Sequence, residues 1–134
     1  MIIGKKVYHK KKCFNSLAWA KSEINNAEDG SVFLADVHKH TRGRSGRIWK
    51  FDPNQLIITL ALKPGNLNEI FKTSSESLSS RINQLSMAIS LGILNVLKKF
   101  NTKLKWPNDF LINGKKVGGI IGEVVWNGNV PSGI

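Results

Sequence analysis

The sequence predicts an α+β domain, on three observations. Gln55–Leu62 is a run rich in β-formers, cut off by Pro64-Gly65. Ile82, Leu85, Ile89, Ile93, Val96 and Phe100 recur at the spacing of one helix face. Phe110-Leu111-Ile112 and Lys115-Lys116-Val117 flank Asn113-Gly114, the pair that favours the tight two-residue turn of a hairpin. A chain of 134 residues, 41% apolar, is long enough for one core and reads as a single domain.

The elements follow in order. Val7-Tyr8-His9 is an edge-strand candidate ahead of Lys10-Lys11-Lys12, whose charges discourage mispairing. Asn15-Ser16 can cap a helix from about Leu17 to Asn26, with Leu17, Ala20 and Ile24 on one face and Ala27 beyond. Ser31–Ala35 is a buried strand that leads to Asp36 and a basic loop. After the Gln55–Leu62 strand comes a serine-bearing polar segment. Ser79 or Ser80 then opens the long helix, read as core scaffold, with Ala88 and Gly92 small enough for close packing on a sheet. Lys103–Trp106 is a short strand, turned by Pro107-Asn108-Asp109. Beyond the hairpin, Gly118-Gly119 permits close approach of a ligand or another strand, and Ile120–Val125 reads as a further strand.

Charge narrows the partners. The net charge is +11, with the excess densest in the first fifty residues, which suits nucleotides, nucleic acid or an acidic protein. The lone Cys13 excludes an internal disulfide and suits a reducing compartment. The N-terminus shows no signal-peptide core, and no apolar run can span a membrane, so the expected location is the cytoplasm.

The chemistry concentrates in two stretches. Thr41-Arg42-Gly43-Arg44-Ser45-Gly46-Arg47-Ile48-Trp49 has neither helical nor strand period and reads as a mobile loop. Its guanidinium forks suit carboxylate and phosphate, its glycines allow close backbone approach, and Trp49 can stack on a planar group. A solvated basic loop, or one that grips nucleic acid backbone, remains open at this point. Gly114-Lys115-Lys116 is not a Walker loop, because the glycine spacing is wrong and the Ser/Thr is missing. His38 and His40 lack a Cys or acidic cluster in sequence that would complete a metal site.

The two stretches together resemble the catalytic domain of biotin protein ligases. Arg42-Gly43-Arg44-Ser45-Gly46-Arg47-Ile48-Trp49 is similar to most of that family's Gly-Arg-Gly-Arg-x-Gly-Arg-x-Trp loop. Lys105-Trp106-Pro107-Asn108-Asp109, with Lys116-Val117-Gly118-Gly119-Ile120, is similar to its second signature. The resemblance covers nearly the whole chain. It implies a mixed sheet with helices packed on one face, as in class II aminoacyl-tRNA synthetases and lipoate ligases. It also implies activation of biotin by ATP, with Mg²⁺, to biotinyl-5'-AMP, then transfer to a lysine of a biotin carboxyl carrier protein.

Site residues carry over one by one. The resemblance implies Lys116 and Arg44 as catalytic residues. Asn15, Ser16, His38, Arg42, Gly43, Arg44, Lys116 and Gly119 would bind biotin. Arg42, Arg44, Arg47, Trp49, Lys105, Asn108 and Asp109 would bind ATP, with Asp109 as the candidate Mg²⁺ ligand. The loop and the Lys116 ammonium are expected to act on one cavity. Three places depart from the family pattern: Thr41 stands for the first glycine of the loop, His38 for a glutamine, and Asn15-Ser16-Leu17 for Ser-Thr-Asn. Ser16 can still offer a hydroxyl, but Leu17 cannot replace the amide. All three fall on the biotin-head side.

The resemblance further implies a Gly-x-Gly-x-Asn strand and a small β-domain beyond residue 134. No helix-turn-helix is expected before Met1, so DNA is not an expected partner, while a homodimer stays open. Three alternatives also stay open: a lipoate or octanoate ligase-like enzyme, an inactive relative, and a basic nucleic-acid-binding module.

Overall fold

The computed structural model describes residues 3–63, 78–128 and 130–134, with the backbone alone for Arg44, Leu78 and Val130. The Pro64-Gly65 stop and the serine-bearing segment lie outside the described residues. The chain divides into two compact units, Met1–Ile70 with Val124–Ile134, and Phe71–Glu123.

The first unit begins as a strand–helix–strand. β1 (Val7–Cys13) leads to α1 (Ser16–Glu23), and α1 leads to β2 (Ser31–His38), which pairs parallel with β1. β5 (Ile58–Ala61) pairs antiparallel on the other side of β2, so β1 is an edge in the order β1-β2-β5. The Asn15 carboxamide oxygen accepts from the amides of Leu17 and Ala18 at 2.9 and 3.2 Å, satisfying two donors that the first turn leaves without helical partners.

Ala20, Ile24 and Ala27 are the buried side of α1 and its C-terminal extension, and they meet Phe33 and Ala61 of the sheet. Phe33 is the centre. It is fully buried, stacked on Tyr8 at 4.7 Å, and met edge-on by Trp19 at 5.0 Å. The Lys10 ammonium sits 4.1 Å over Trp19, which caps this layer with charge.

Four expectations change in length here. β2 runs on past Ala35 to His38, and α1 ends at Glu23 rather than about Asn26. β1 runs on through the three lysines to Cys13, since an edge strand tolerates charge on its exposed side. The Gln55–Leu62 strand shrinks to Ile58–Ala61, the residues that pair with Ser31–Leu34 of β2. β9 (Val125–Asn127) and β10 (Val130–Gly133) form a closing hairpin on the same unit. Ile134 exchanges two backbone hydrogen bonds with Leu62, both 2.9 Å.

The second unit holds α2 (Leu78–Val96), a 3-10 turn at Lys98–Phe100, and a meander of β6 (Lys103–Lys105), β7 (Asp109–Ile112) and β8 (Lys115–Gly119). Asn113 and Gly114 both take positive φ, at 50° and 75°, as the predicted turn requires. The Trp106-Pro107 peptide is cis.

The helix departs from expectation. Val96 and Phe100 are exposed, and Ala88 and Gly92 lie on the open side, with nothing within 4 Å of a Cβ built on Gly92. The close approach to the helix comes from Gly122 instead. A Cβ there would lie 3.2 Å from Ile82 and 3.5 Å from the Ser86 hydroxyl oxygen. The expected strand over Ile120–Val125 is also corrected, since residues 120–124 are irregular and pairing resumes only at Val125.

Candidate active site

In the first unit, chain direction gathers the candidates. Parallel β1 and β2 both end at the same side of the sheet, and the loop after each carries predicted site residues. Asn15 and Ser16 follow β1, while His38 closes β2 and leads into the arginine loop. The Lys39 amide donates to the Cys13 carbonyl at 3.1 Å, and the His40 amide to the Phe14 carbonyl at 2.8 Å, so the two strand ends stay side by side. Open sheets offer ligand sites at such carboxyl ends.

The arginine loop is a hairpin, not the unstructured loop expected. β3 (Thr41–Arg42) pairs antiparallel with β4 (Ile48–Trp49) around a 3-10 turn at Arg44–Gly46. Thr41 explains its own departure from the family pattern. Its side chain is buried, and its hydroxyl donates to the Trp49 carbonyl, closing the neck of the hairpin. The Gly43 amide adds a 2.7 Å bond to the Arg47 carbonyl. Trp49 lies over Gly43, where a Cβ would come within 3.0 Å of the indole nitrogen, so glycine makes room for the ring.

Arg42 and Arg47 are exposed. Arg42 Nε donates to His40 Nε2 at 3.4 Å, and the His40 ring stacks on Phe14 at 5.4 Å. Arg42 is thus braced by the His40 imidazole. The side chain of Arg44 lies outside the described residues.

The expected biotin-head residues are internally engaged. Asn15 caps α1. Ser16 is buried, and its hydroxyl shares a 2.8 Å hydrogen bond with Thr59 of β5. His38 is buried, tilted against Phe51 at 5.4 Å, with its ring nitrogens near the Ala35 carbonyl and the Cys13 thiol. Burial pushes the His38 imidazole below its ordinary pKa, against an opposing push from its bond to Ala35. Burial also pushes the Cys13 thiol up, partly offset by Lys10.

Cys13, His40, Phe51 and Thr59 contact the predicted site residues without being among them. Only parity along β1 and β2 could have paired Cys13 with His38, and that needs the register. A cleft of about 340 Å³, lined in part by His9, Asp36, Asn54 and Gln55, contains none of the predicted site residues.

The second unit brings four predicted residues onto one sheet face. Directly opposed residues of antiparallel strands share a face. Lys105 opposes Asp109, Asp109 opposes Gly119, and Leu111 opposes Lys116 across an irregularity in register. Lys105, Asp109, Lys116 and Gly119 therefore share a side, and Phe110 points to the other, where it is buried.

Lys116 Nζ lies 2.6 Å from Asp109 Oδ1, with both side chains partly exposed. A Cβ on Gly119 would sit 3.0 Å from the Asn108 carbonyl, 3.3 Å from Asp109 Oδ1 and 3.7 Å from Lys116 Cε. The close approach that the paired glycines allow is thus to the neighbouring strand and its ion pair. Asn108 is a clasp: its carbonyl accepts from the Ile120 amide at 2.9 Å, and its Nδ2 donates to the Ile120 carbonyl at 3.0 Å.

The Asp109 surroundings do not fit a resident Mg²⁺. One carboxylate oxygen already carries an ammonium, and among the described residues no three His, Cys, Asp or Glu groups cluster as a metal site. Asp109 fits the part of counter-ion to Lys116. No described helix is long and apolar enough to cross a membrane.

Comparison with known proteins gives the family. The model of the biotin/lipoate A/B protein ligase family matches residues 9–134. The bifunctional ligase/repressor BirA of Bacillus spizizenii is 36% identical over 101 residues, covering 75% of this chain and 29% of that protein. Biotin--protein ligase 1, chloroplastic, of Arabidopsis thaliana is 29% identical over 99 residues, covering 69% and 24%. The chain thus spans under a third of the length of these relatives.

Among solved structures, the biotin protein ligase of Aquifex aeolicus, in complex with biotin and ATP, superposes with a TM-score of 0.71 at 26% identity. It covers 90% of this chain and 47% of that one. The biotin acetyl coenzyme A carboxylase synthetase of Helicobacter pylori, at 20% identity and a TM-score of 0.72, shows the same fold.

Proposed function

Because this chain belongs to the biotin/lipoate A/B protein ligase family, we propose that it carries the adenylating chemistry of a biotin protein ligase. In this reading it forms biotinyl-5'-AMP from biotin and ATP, then passes the biotinyl group to a lysine of a biotin carboxyl carrier protein in the cytoplasm. The observation that carries the reading is that the family match runs through both signatures, Arg42–Trp49 and Lys105–Ile120.

In the first step a biotin carboxylate oxygen attacks the α-phosphorus of ATP, and the bond to the pyrophosphate oxygen breaks. Two anions must meet, so groups that stabilise charge as it shifts in the transition state lower the barrier. Lys116 bridges the carboxylate and the α-phosphate. Arg42 and Arg44 offer guanidinium forks to carboxylate and phosphate, and Arg47 meets the polyphosphate. Trp49 stacks on adenine, and Lys105 supports the phosphates. Asp109 holds Lys116 in place until substrate arrives, and Asn108 keeps the end of β8 beside β7. Ser16, Asn15 and His38 shape the head-group end, with Gly43 and Gly119 keeping backbone close.

In the second step the neutral amine of the acceptor lysine attacks the acyl carbon. AMP leaves, and the nitrogen sheds a proton. A closed loop keeps water from the mixed anhydride between the two steps.

Ligand-dependent melting tests the reading. Biotin with ATP should raise Tm, because a ligand that binds only the folded chain stabilises it by about 2.7 kcal/mol at a hundredfold excess over Kd. Lipoate with ATP should do less. A melting curve unmoved by biotin and ATP together would count against it.

A further inference from the structure

Cys13 and His38 are register partners at the ends of β1 and β2. Cys13 Sγ lies 3.6 Å from His38 Nδ1, and His38 Nε2 lies 3.2 Å from the Ala35 carbonyl oxygen. A carbonyl oxygen only accepts, so Nε2 carries the hydrogen. In a neutral imidazole Nδ1 is then the bare acceptor, and the thiol is the donor that meets it. Burial disfavours ionising either partner, which keeps this neutral arrangement in place.

The Phe51 ring leans on the imidazole at 42° and restricts its rotation. Sequence shows why this matters: His38 stands where the resemblance places a side chain that contacts the acyl head group. A histidine is selective there only if its tautomer is fixed, because a donor and an acceptor exchange places when the proton moves.

We propose that Cys13 is a positioning residue: its thiol, together with the Ala35 carbonyl, holds the tautomer and ring orientation of His38, and through His38 sets selectivity for the acyl head group. The clause on selectivity rests on the ligase reading above; the clause on the tautomer does not. A thiol suits the task because it is a donor that meets Nδ1 without adding charge to a buried site.

The experiment is ¹⁵N NMR of the histidine ring nitrogens, paired with steady-state kinetics, on the whole chain and on Cys13→Ala and Cys13→Ser. The chain has three histidines, so His38→Gln assigns the signals. The unmutated chain should show His38 protonated at Nε2 with Nδ1 as a hydrogen-bonded acceptor. Cys13→Ser should keep that signature, and Cys13→Ala should lose it.

KM for biotin should rise about tenfold in Cys13→Ala, the loss of one hydrogen bond of about 1.4 kcal/mol. KM for ATP and kcat should stay within about twofold, and Cys13→Ser should restore KM for biotin. His38 protonated at Nδ1, or nitrogen shifts unmoved by Cys13→Ala, would overturn the proposal. The expected NMR change with an unmoved KM for biotin would overturn the selectivity clause alone. No biotin turnover in any variant would instead remove the ligase reading, with the tautomer still decided by NMR.

Discussion

Lys116 and Asp109 form a 2.6 Å ion pair on the open face of the β6-β7-β8 sheet, and Gly119 leaves the space in which they meet. The pair joins two strands and holds an ammonium at a fixed place without burying it. Its value is therefore positional: an exposed pair of this kind contributes about 0–1 kcal/mol to stability.

Asp109→Ala should separate those two effects. Adenylate formation in a single turnover should fall about 10²-fold, the scale of a misplaced catalytic group, while Tm moves little. A rate equal to that of the unmutated chain would show that Lys116 needs no counter-ion to find its place.

Arg44→Gly removes one fork from the arginine hairpin. In the proposed mechanism it should speed release of biotinyl-5'-AMP, followed as dissociation from the preloaded chain. An unchanged off-rate would argue against a clamp built from this hairpin.

Phe33→Ala should lower unfolding stability by about 3–5 kcal/mol, read from denaturant melts, because Tyr8, Trp19 and the buried side of α1 all pack on that ring. A loss under about 1 kcal/mol would mean that the first unit's core is organised around some other residue.

How much of this was legible in the sequence depended on how local the cause was. The Asn15 cap and the Asn113-Gly114 turn were readable because side chain and backbone within three residues decide them. The arginine hairpin was not. Its two-residue strands have no period to detect, and they are held by a Thr41 hydroxyl reaching across to Trp49. Ile120–Val125 looked like a strand by composition, yet Gly122 sits against Ile82 and Ser86, and the Asn108 clasp consumes the pairing of Ile120. Ala88 and Gly92 suggested close packing by size alone, and size does not say which face is buried. In the candidate site, Lys116 and Asp109 were each legible as residues, but their pairing needed the register of β7 on β8.

The Cys13–His38 pair sets a pH window. Below the ordinary imidazole value of 6.5 the unfolded chain takes up a proton that buried His38 resists, so stability falls as pH drops through that value. Above the ordinary thiol value of 9.0 the unfolded chain releases a proton that Cys13 retains, so stability falls again as pH rises. Their contribution is greatest between those limits. In His38→Gln the acid side of the stability profile should flatten, as measured by urea unfolding from pH 5 to 8. An acid limb of unchanged slope would assign that loss to other groups.

Biotin-dependent exchange of labelled pyrophosphate into ATP tests the central claim most directly, because it reports the first step alone and needs no acceptor protein. The chain should catalyse exchange only with biotin present, and Lys116→Ala should abolish it while keeping the fold by circular dichroism. Exchange by Lys116→Ala at the unmutated rate, or none by the unmutated chain, would contradict the account.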